Sequence, residues 1–262
     1  MDTVSLIQKV RTGVARVVFE RGGDRVSNGT AFLVKDGLIT NSHVIRGSAY
    51  DAVAIYFEDA IRNDAVEPIR LLRDTIDDAV VVESVTADKD YALLRLNEPE
   101  FAGRHVFEFG DSSSVEVGEQ VAFLGFPFGM PQLSSHMGYV SSIHELDGVR
   151  VLQIDGSVNG GNSGGPLLNL KDGRVVGIIT RSVQGYIAEQ FDELILALGK
   201  NIEFLNGIGE VMQVGNFRAT EIAIASQIAM REIAKNLRRS ANVGIGYAYA
   251  IDYLRERIAG SP

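Results

Sequence analysis

The sequence predicts an all-β core, folded as barrels or a sandwich, with a helix at each end and a helical hairpin set into its second half. Three observations carry this. From residue 14 onward, short apolar runs alternate with turn residues, as in "VARVVFE", "GTAFLVKDGLITN", "VAIYFE", "AVVVESV" and "YALLRL", and again in "QVAFLGF", "GYVSSI", "RVLQID", "GPLLN" and "RVVGIIT". No helical pattern separates one run from the next, which argues against a parallel α/β sheet, because parallel strands need long crossover connections. Near residue 187 the texture changes: "IAEQFDELILALGKNIEFL" and "RATEIAIASQIAMREIAKNLRR" place apolar residues at intervals of three and four.

Taken in order, the elements follow from local chemistry. Val4, Ile7, Val10 and Val14 share one helical face behind Asp2, a natural N-cap, so a short helix opens the chain. The Asp-Gly pairs in "KDGL" and "LDGV" suit tight hairpins. "NEPEFAGRHVFEFGDSSSVEVGE", with Pro99, Gly103 and three consecutive serines, reads as a connection, dividing the chain into residues 1–103 and 104–262. The helical hairpin occupies about 186–242, broken by the glycine-containing "NGIGEVMQVGN". "VGIGYAYAI" returns to strand character, and "DYLRERIAG" closes as a short helix.

Composition narrows the function classes. Hydrophobic residues make up 45% and charged residues 23% of the 262, as in ordinary globular domains. The absence of cysteine removes disulfides, zinc–thiolate sites and thiol nucleophiles. A net charge of −9 without any long Lys/Arg block argues against a nucleic-acid partner. The first twenty residues are broken by Asp2, Gln8, Lys9, Arg11 and Arg16, so they do not resemble a signal peptide, and no stretch is long enough to cross a bilayer. The expectation is a cytoplasmic chain with no membrane partner, no metal and no cofactor.

The chemistry concentrates in "GSVNGGNSGGPLLN", residues 156–169, around Ser163. A glycine-rich loop is a turn by default; a nucleophile also needs a base, an acid to orient it and donors for an oxyanion. The four histidines, His43, His105, His136 and His144, all precede Ser163. That excludes the serine–acid–histidine order of the G-x-S-x-G elbow. An aspartate–histidine–serine order would require an acid before His43 and an alternating α/β texture, which is absent. The order histidine, aspartate, serine on two β-barrels remains. His43 stands at the end of an apolar hairpin, in "GTAFLVKDGLITNSHVIRGS". Asp90 opens the apolar strand "DYALLRL", where a buried carboxylate needs donors and an imidazole N–H is one. Asp88 is the alternative acid, but it lies outside the apolar run.

"TNSHV", "DYALLRL" and "GNSGGPL" resemble the histidine, aspartate and serine blocks of trypsin-like serine proteases, and the HtrA-type branch more closely. The similarity covers most of residues 14–183 and 243–256. It implies two six-stranded antiparallel β-barrels, the first carrying His43 and Asp90 and the second Ser163. It also implies a serine endopeptidase that works through an acyl-enzyme on protein or peptide substrates. The N–H groups of Gly161 and Ser163 would form the oxyanion hole. Asn162 stands where digestive relatives carry an aspartate that pairs with a new N-terminal amine, so loop ordering or a partner would replace propeptide cleavage. Ser157 would lie at the base of the specificity pocket, with Thr180, Arg181 and Ser182 along one wall and Gly246 to Ala248 along the other. No acid stands at that base, so small or medium aliphatic side chains are expected, with Arg181 biasing toward polar or acidic ones. Two features depart from the branch: no PDZ segment follows "DYLRERI", and "HELDGVRVLQ" is too short for the long sensor loop. The helices of 186–242 are read either as a buttress or as a lid, an oligomer contact or a regulator's docking site. The competing function is a catalytically silent protease fold retained for protein binding.

Overall fold

The computed structural model describes residues 2–59, 67–84, 90–96, 98–146, 148–180, 186–208, 213–214, 217–240 and 244–259. They form two compact units, residues 1–181 with 244–262, and residues 182–243.

Helix α1 (Thr3–Val10) opens the first unit, capped by Asp2, whose carboxylate accepts from the Ser5 N–H at 3.0 Å. Its Leu6 and Val10 are buried. Seven antiparallel strands then form a sheet in the order β5 (Ile69–Leu72), β4 (Ala52–Tyr56), β1 (Val14–Arg21), β2 (Asp24–Val34), β3 (Gly37–Thr40), β7 (Tyr91–Leu94) and β6 (Val80–Ser84). This differs from the six-stranded first barrel expected from the sequence, because the sheet curls without closing. Helix α3 (Arg73–Ala79) joins its edges β5 and β6, and among the described residues no hydrogen-bonded ladder does so. Ile76 and Ala79 of α3 pack into the same core as Val17, Phe19, Ile55 and Ala92, so a helix covers the gap that a ladder would have sealed.

The second sheet is the expected closed barrel of six strands, in the order β10 (Val149–Asp155), β15 (Ile245–Ala250), β12 (Val175–Thr180), β11 (Pro166–Asn169), β8 (Gln120–Gly125) and β9 (Ser134–Leu146). Val121, Phe123, Leu152, Ile154, Ile179 and Ala248 fill its interior. A third cluster draws Phe32, Ile39 and Leu93 from the first sheet and Leu124, Leu168 and Ile178 from the second around Phe107, Phe126 and Ile251. Large side chains buried this way contribute about 1.5–3 kcal/mol each. The connection between the sheets is stitched to both, by Phe107 N–H to Leu33 O at 2.8 Å and Gly110 N–H to Val175 O at 2.7 Å. Helix α6 (Asp252–Ala259) buries Leu254 in that third cluster.

In sequence, β12 and its neighbour β15 are separated by the second unit. This comprises helix α4 (Tyr186–Ile208), a two-residue ladder of β13 (Gln213–Val214) and β14 (Phe217–Arg218), and helix α5 (Ala219–Ser240). Leu198 of α4 and Ala234 of α5 are buried. Leu194, Leu196 and Phe204 on α4, and Ile222, Met230, Ile233 and Leu237 on α5, remain exposed.

Candidate active site

The site begins with a strand pairing. β3 and β7 run antiparallel with Thr40 opposite Ala92, so residues just after β3 meet residues just before β7. That register delivers the short helix α2 (Ser42–Arg46) to Asp90. The Asp90 carboxylate accepts from the His43 backbone N–H at 2.8 Å and contacts His43 Nδ1 at 2.5 Å. A carboxylate beside an imidazole only accepts, so the proton in this contact is carried by Nδ1. A third donor is Thr180, whose Oγ1 lies 3.2 Å from Asp90 Oδ2. Asn41 Nδ2 binds the Asp90 carbonyl at 2.6 Å, fixing the backbone as well. The Asp90 side chain is 13% exposed and that of His43 33%, so the acid is sheltered while part of the ring remains accessible.

Helix α2 is too short to hold itself, and its anchor is a charge network. Glu83 on β6 accepts from Ser42 Oγ at 2.7 Å and from Arg46 Nε and Nη2 at 3.1 and 3.0 Å, and Arg46 also pairs with Asp77. Burial pushes the Glu83 carboxyl up, but hydrogen bonds from Arg46 and Ser42 outweigh it and hold the group below its ordinary value. Sequence reasoning missed these residues, because Glu83 is 37 positions from Arg46 and only strand pairing brings them together.

Ser163 lies in the loop between β10 and β11 and is 3% exposed. The loop is pressed against the first sheet. Gly164 has φ +86°, and a Cβ there would collide with Thr30 O and Thr40 Oγ1 and stand 3.1 Å from the Asn41 N. The Ser163 loop and the residues leading into His43 therefore touch. Ser163 Oγ is buried, and among the described residues it has no hydrogen-bond partner, His43 included. The backbone donors of the loop follow an alternating pattern. Asn162 N–H donates to Asn159 O at 3.0 Å, Gly164 N–H to Ile179 O at 2.8 Å and Gly165 N–H to Asn162 O at 3.0 Å. Among the described residues, the Gly161 and Ser163 N–H groups donate to nothing.

The expected pocket residues are placed unevenly. Ser157 is half-buried, and its neighbour Val158 packs over Gly246, where an added Cβ would stand 2.5 Å from Val158 Cγ2. Ala248 is fully buried in the barrel core, and Thr180 turns its hydroxyl to Asp90. Arg181, Ser182 and the alternative acid Asp88 lie outside the described residues. The remaining histidines have packing partners: His105 meets Phe107 edge-on at 4.7 Å, His136 stacks on Phe123 at 4.7 Å, and His144 stands 6.3 Å from Tyr247. Among the described residues no group of His, Asp and Glu could hold a metal ion, and no helix is long and apolar enough to cross a membrane.

A family model, that of the trypsin-like peptidase domain, matches residues 29–178, more than half of the chain and the whole span from β2 through His43, Asp90 and Ser163 into β12. The chain belongs to the trypsin-like peptidase domain family. Serine protease Do-like HtrA of Bacillus subtilis is 27% identical over 253 residues, 90% of this chain and 48% of that one. A probable periplasmic serine endoprotease, DegP-like, of Halomonas elongata is 34% identical over 180 residues, 64% of this chain and 33% of its own. This peptidase domain thus spans about half or less of the length of these relatives. Among solved structures, the HtrA-type protease AlgW with tripeptide matches with a TM-score of 0.53 at 22% identity, covering 69% of this chain and 54% of that one. That likeness agrees with the fold described above.

Proposed function

We propose that this peptidase domain is a serine endopeptidase in which Ser163 is the nucleophile, His43 the general base and Asp90 its orienting acid. The observation that carries the reading is the clasp of Asp90 on both the backbone N–H and the ring Nδ1 of His43. It fixes the tautomer that leaves Nε2 free to take a proton. In the reaction Ser163 Oγ attacks the peptide carbonyl carbon while Nε2 removes the hydroxyl proton, and Asp90 stabilises the resulting imidazolium. The carbonyl oxygen becomes an oxyanion, for which the undonated N–H groups of Gly161 and Ser163 are the donors, each worth roughly 3 kcal/mol. Collapse expels the amine, which takes the proton from Nε2, and water then hydrolyses the acyl-enzyme by the same steps in reverse roles.

Asn162 supports control by loop ordering rather than by propeptide cleavage. It carries no charge to pair with an amine, and its fully buried amide has no hydrogen-bond partner at either atom among the described residues. The likeness to HtrA-type proteases, one of them solved with a tripeptide, supports protein or peptide as the substrate, and the close packing of Val158 on Gly246 suits small or medium aliphatic side chains before the scissile bond. The exposed apolar residues of α4 and α5 suit contact with a regulator or another copy.

A second reading, a silent binding module, is favoured by one observation, the missing hydrogen bond from Ser163 Oγ to His43. A fluorophosphonate probe decides. Covalent labelling that vanishes in Ser163→Ala is the expected result, whereas no labelling of the native chain leaves the binding module. Mass-spectrometric profiling of cleaved peptides then separates a peptidase from an esterase.

A further inference from the structure

Thr30 lies on β2 and is fully buried. It holds the nucleophile loop of the other sheet at two points. Its backbone N–H donates to Ser163 O at 2.9 Å, and its hydroxyl donates to Gly161 O at 2.6 Å. The same hydroxyl accepts from the Phe126 N–H at 3.2 Å, and Thr40 Oγ1 donates to the Thr30 carbonyl at 2.7 Å. One side chain from the first sheet therefore joins the loop to the end of β8, and is itself braced by β3.

The effect is clearest peptide by peptide, since each plane carries one carbonyl and the next residue's N–H. The 161–162 plane is pinned at both ends, by Thr30 Oγ1 at Gly161 O and by Asn159 O at the Asn162 N–H. The 163–164 plane is likewise pinned, by the Thr30 N–H at Ser163 O and by Ile179 O at the Gly164 N–H. The 160–161 and 162–163 planes are held at the carbonyl alone, by Phe128 N–H at 2.6 Å and Gly165 N–H at 3.0 Å. These two planes carry the free Gly161 and Ser163 donors. A plane fixed at one end keeps its direction only while its neighbours are fixed, and Gly161, at φ +101°, has no Cβ to restrict it. We propose that Thr30 is a positioning residue, its hydroxyl holding the Gly161 carbonyl so that the Gly161 N–H is aimed at the oxyanion before substrate arrives.

This inference rests on Ser163 being the nucleophile, and its test separates the two. Thr30→Val and Thr30→Ala delete the hydroxyl, and Thr30→Ser keeps it. Inactivation by a fluorophosphonate probe gives KI, which reports encounter, and kinact, which reports attack on phosphorus through a transition state that uses the same donors. Circular dichroism checks the folding of each variant. The expected result is a kinact about 10- to 100-fold lower in the folded Val or Ala variant, less than the ~10²–10³-fold loss for deleting a donor outright. KI should stay within about threefold of native, and Thr30→Ser should keep kinact within about threefold. A native-like kinact without the hydroxyl overturns the proposal, as does a loss that Thr30→Ser shares, or failure of both Val and Ala variants to fold. Labelling that persists in Ser163→Ala, or no labelling of the native chain, removes the nucleophile assignment and this inference with it. Ser163-dependent labelling beside a native-like Thr30→Val removes the inference alone.

Discussion

Three donors converge on the Asp90 carboxylate, and one of them is the His43 ring that the proposed reaction needs in one tautomer. Asp90→Asn places an amide against Nδ1 and favours the wrong tautomer, so kcat should fall by about 10⁴-fold while the fold survives. Steady-state cleavage of an unfolded protein, with circular dichroism alongside, checks this; a kcat within tenfold of native would remove Asp90 from the reaction. Gly164 is the second residue with little freedom. Its φ of +86° and the backbone oxygen of Thr30 in the path of any Cβ make Gly164→Ala strained twice over. Urea denaturation should show a loss of at least ~2 kcal/mol, together with loss of probe labelling.

At the scale of elements, the helix carrying His43 depends on β6. Glu83 binds both Ser42 and Arg46, and its carboxyl is held below its ordinary value, so the charged form is favoured in the folded state. The unfolded chain binds the proton more readily, so this stabilisation is present above the ordinary carboxylate range and is lost as pH falls through it. Glu83→Gln should remove that part of the acid sensitivity and lower the melting temperature at pH 7. A melting curve at pH 7 identical to native would show that the network does not hold α2. The β8–β9 pair contains a second group whose contribution is lost as pH falls, here because folding favours the neutral form. His136 lies opposite Phe123, stacks on it, and is held below 6.5 by burial. The neutral ring is therefore favoured in the folded state, and stability falls as pH drops below about 6.5, because the unfolded chain takes up the proton first. His136→Phe should flatten the fall in melting temperature between roughly pH 7.5 and 5.5; a slope equal to native would assign that fall to other groups.

At the scale of the molecule, the two sheets share a cluster and a polar tie. Phe126 belongs to both, since its ring is buried between the sheets and its N–H meets Thr30. Phe126→Ala should cost about 3–5 kcal/mol in chemical denaturation. A loss below about 1 kcal/mol would mean that the junction adds little to the stability of either sheet.

The sequence by itself determined the strand texture, the closing helix, the hairpin of helices and the order of His43, Asp90 and Ser163. These are properties of local alternation, helical spacing and position along the chain, and each can be read without knowing what meets what. The tertiary structure alone decided the rest. It left the first sheet open at seven strands, because α3 fills the gap between its edges. It brought the Thr180 hydroxyl to Asp90, 90 positions away, and set Thr30 on Gly161, 131 positions away. Most buried hydroxyls are hydrogen-bonded, and over such separations only the packing of strands and loops selects the partner, which no local pattern of residues encodes.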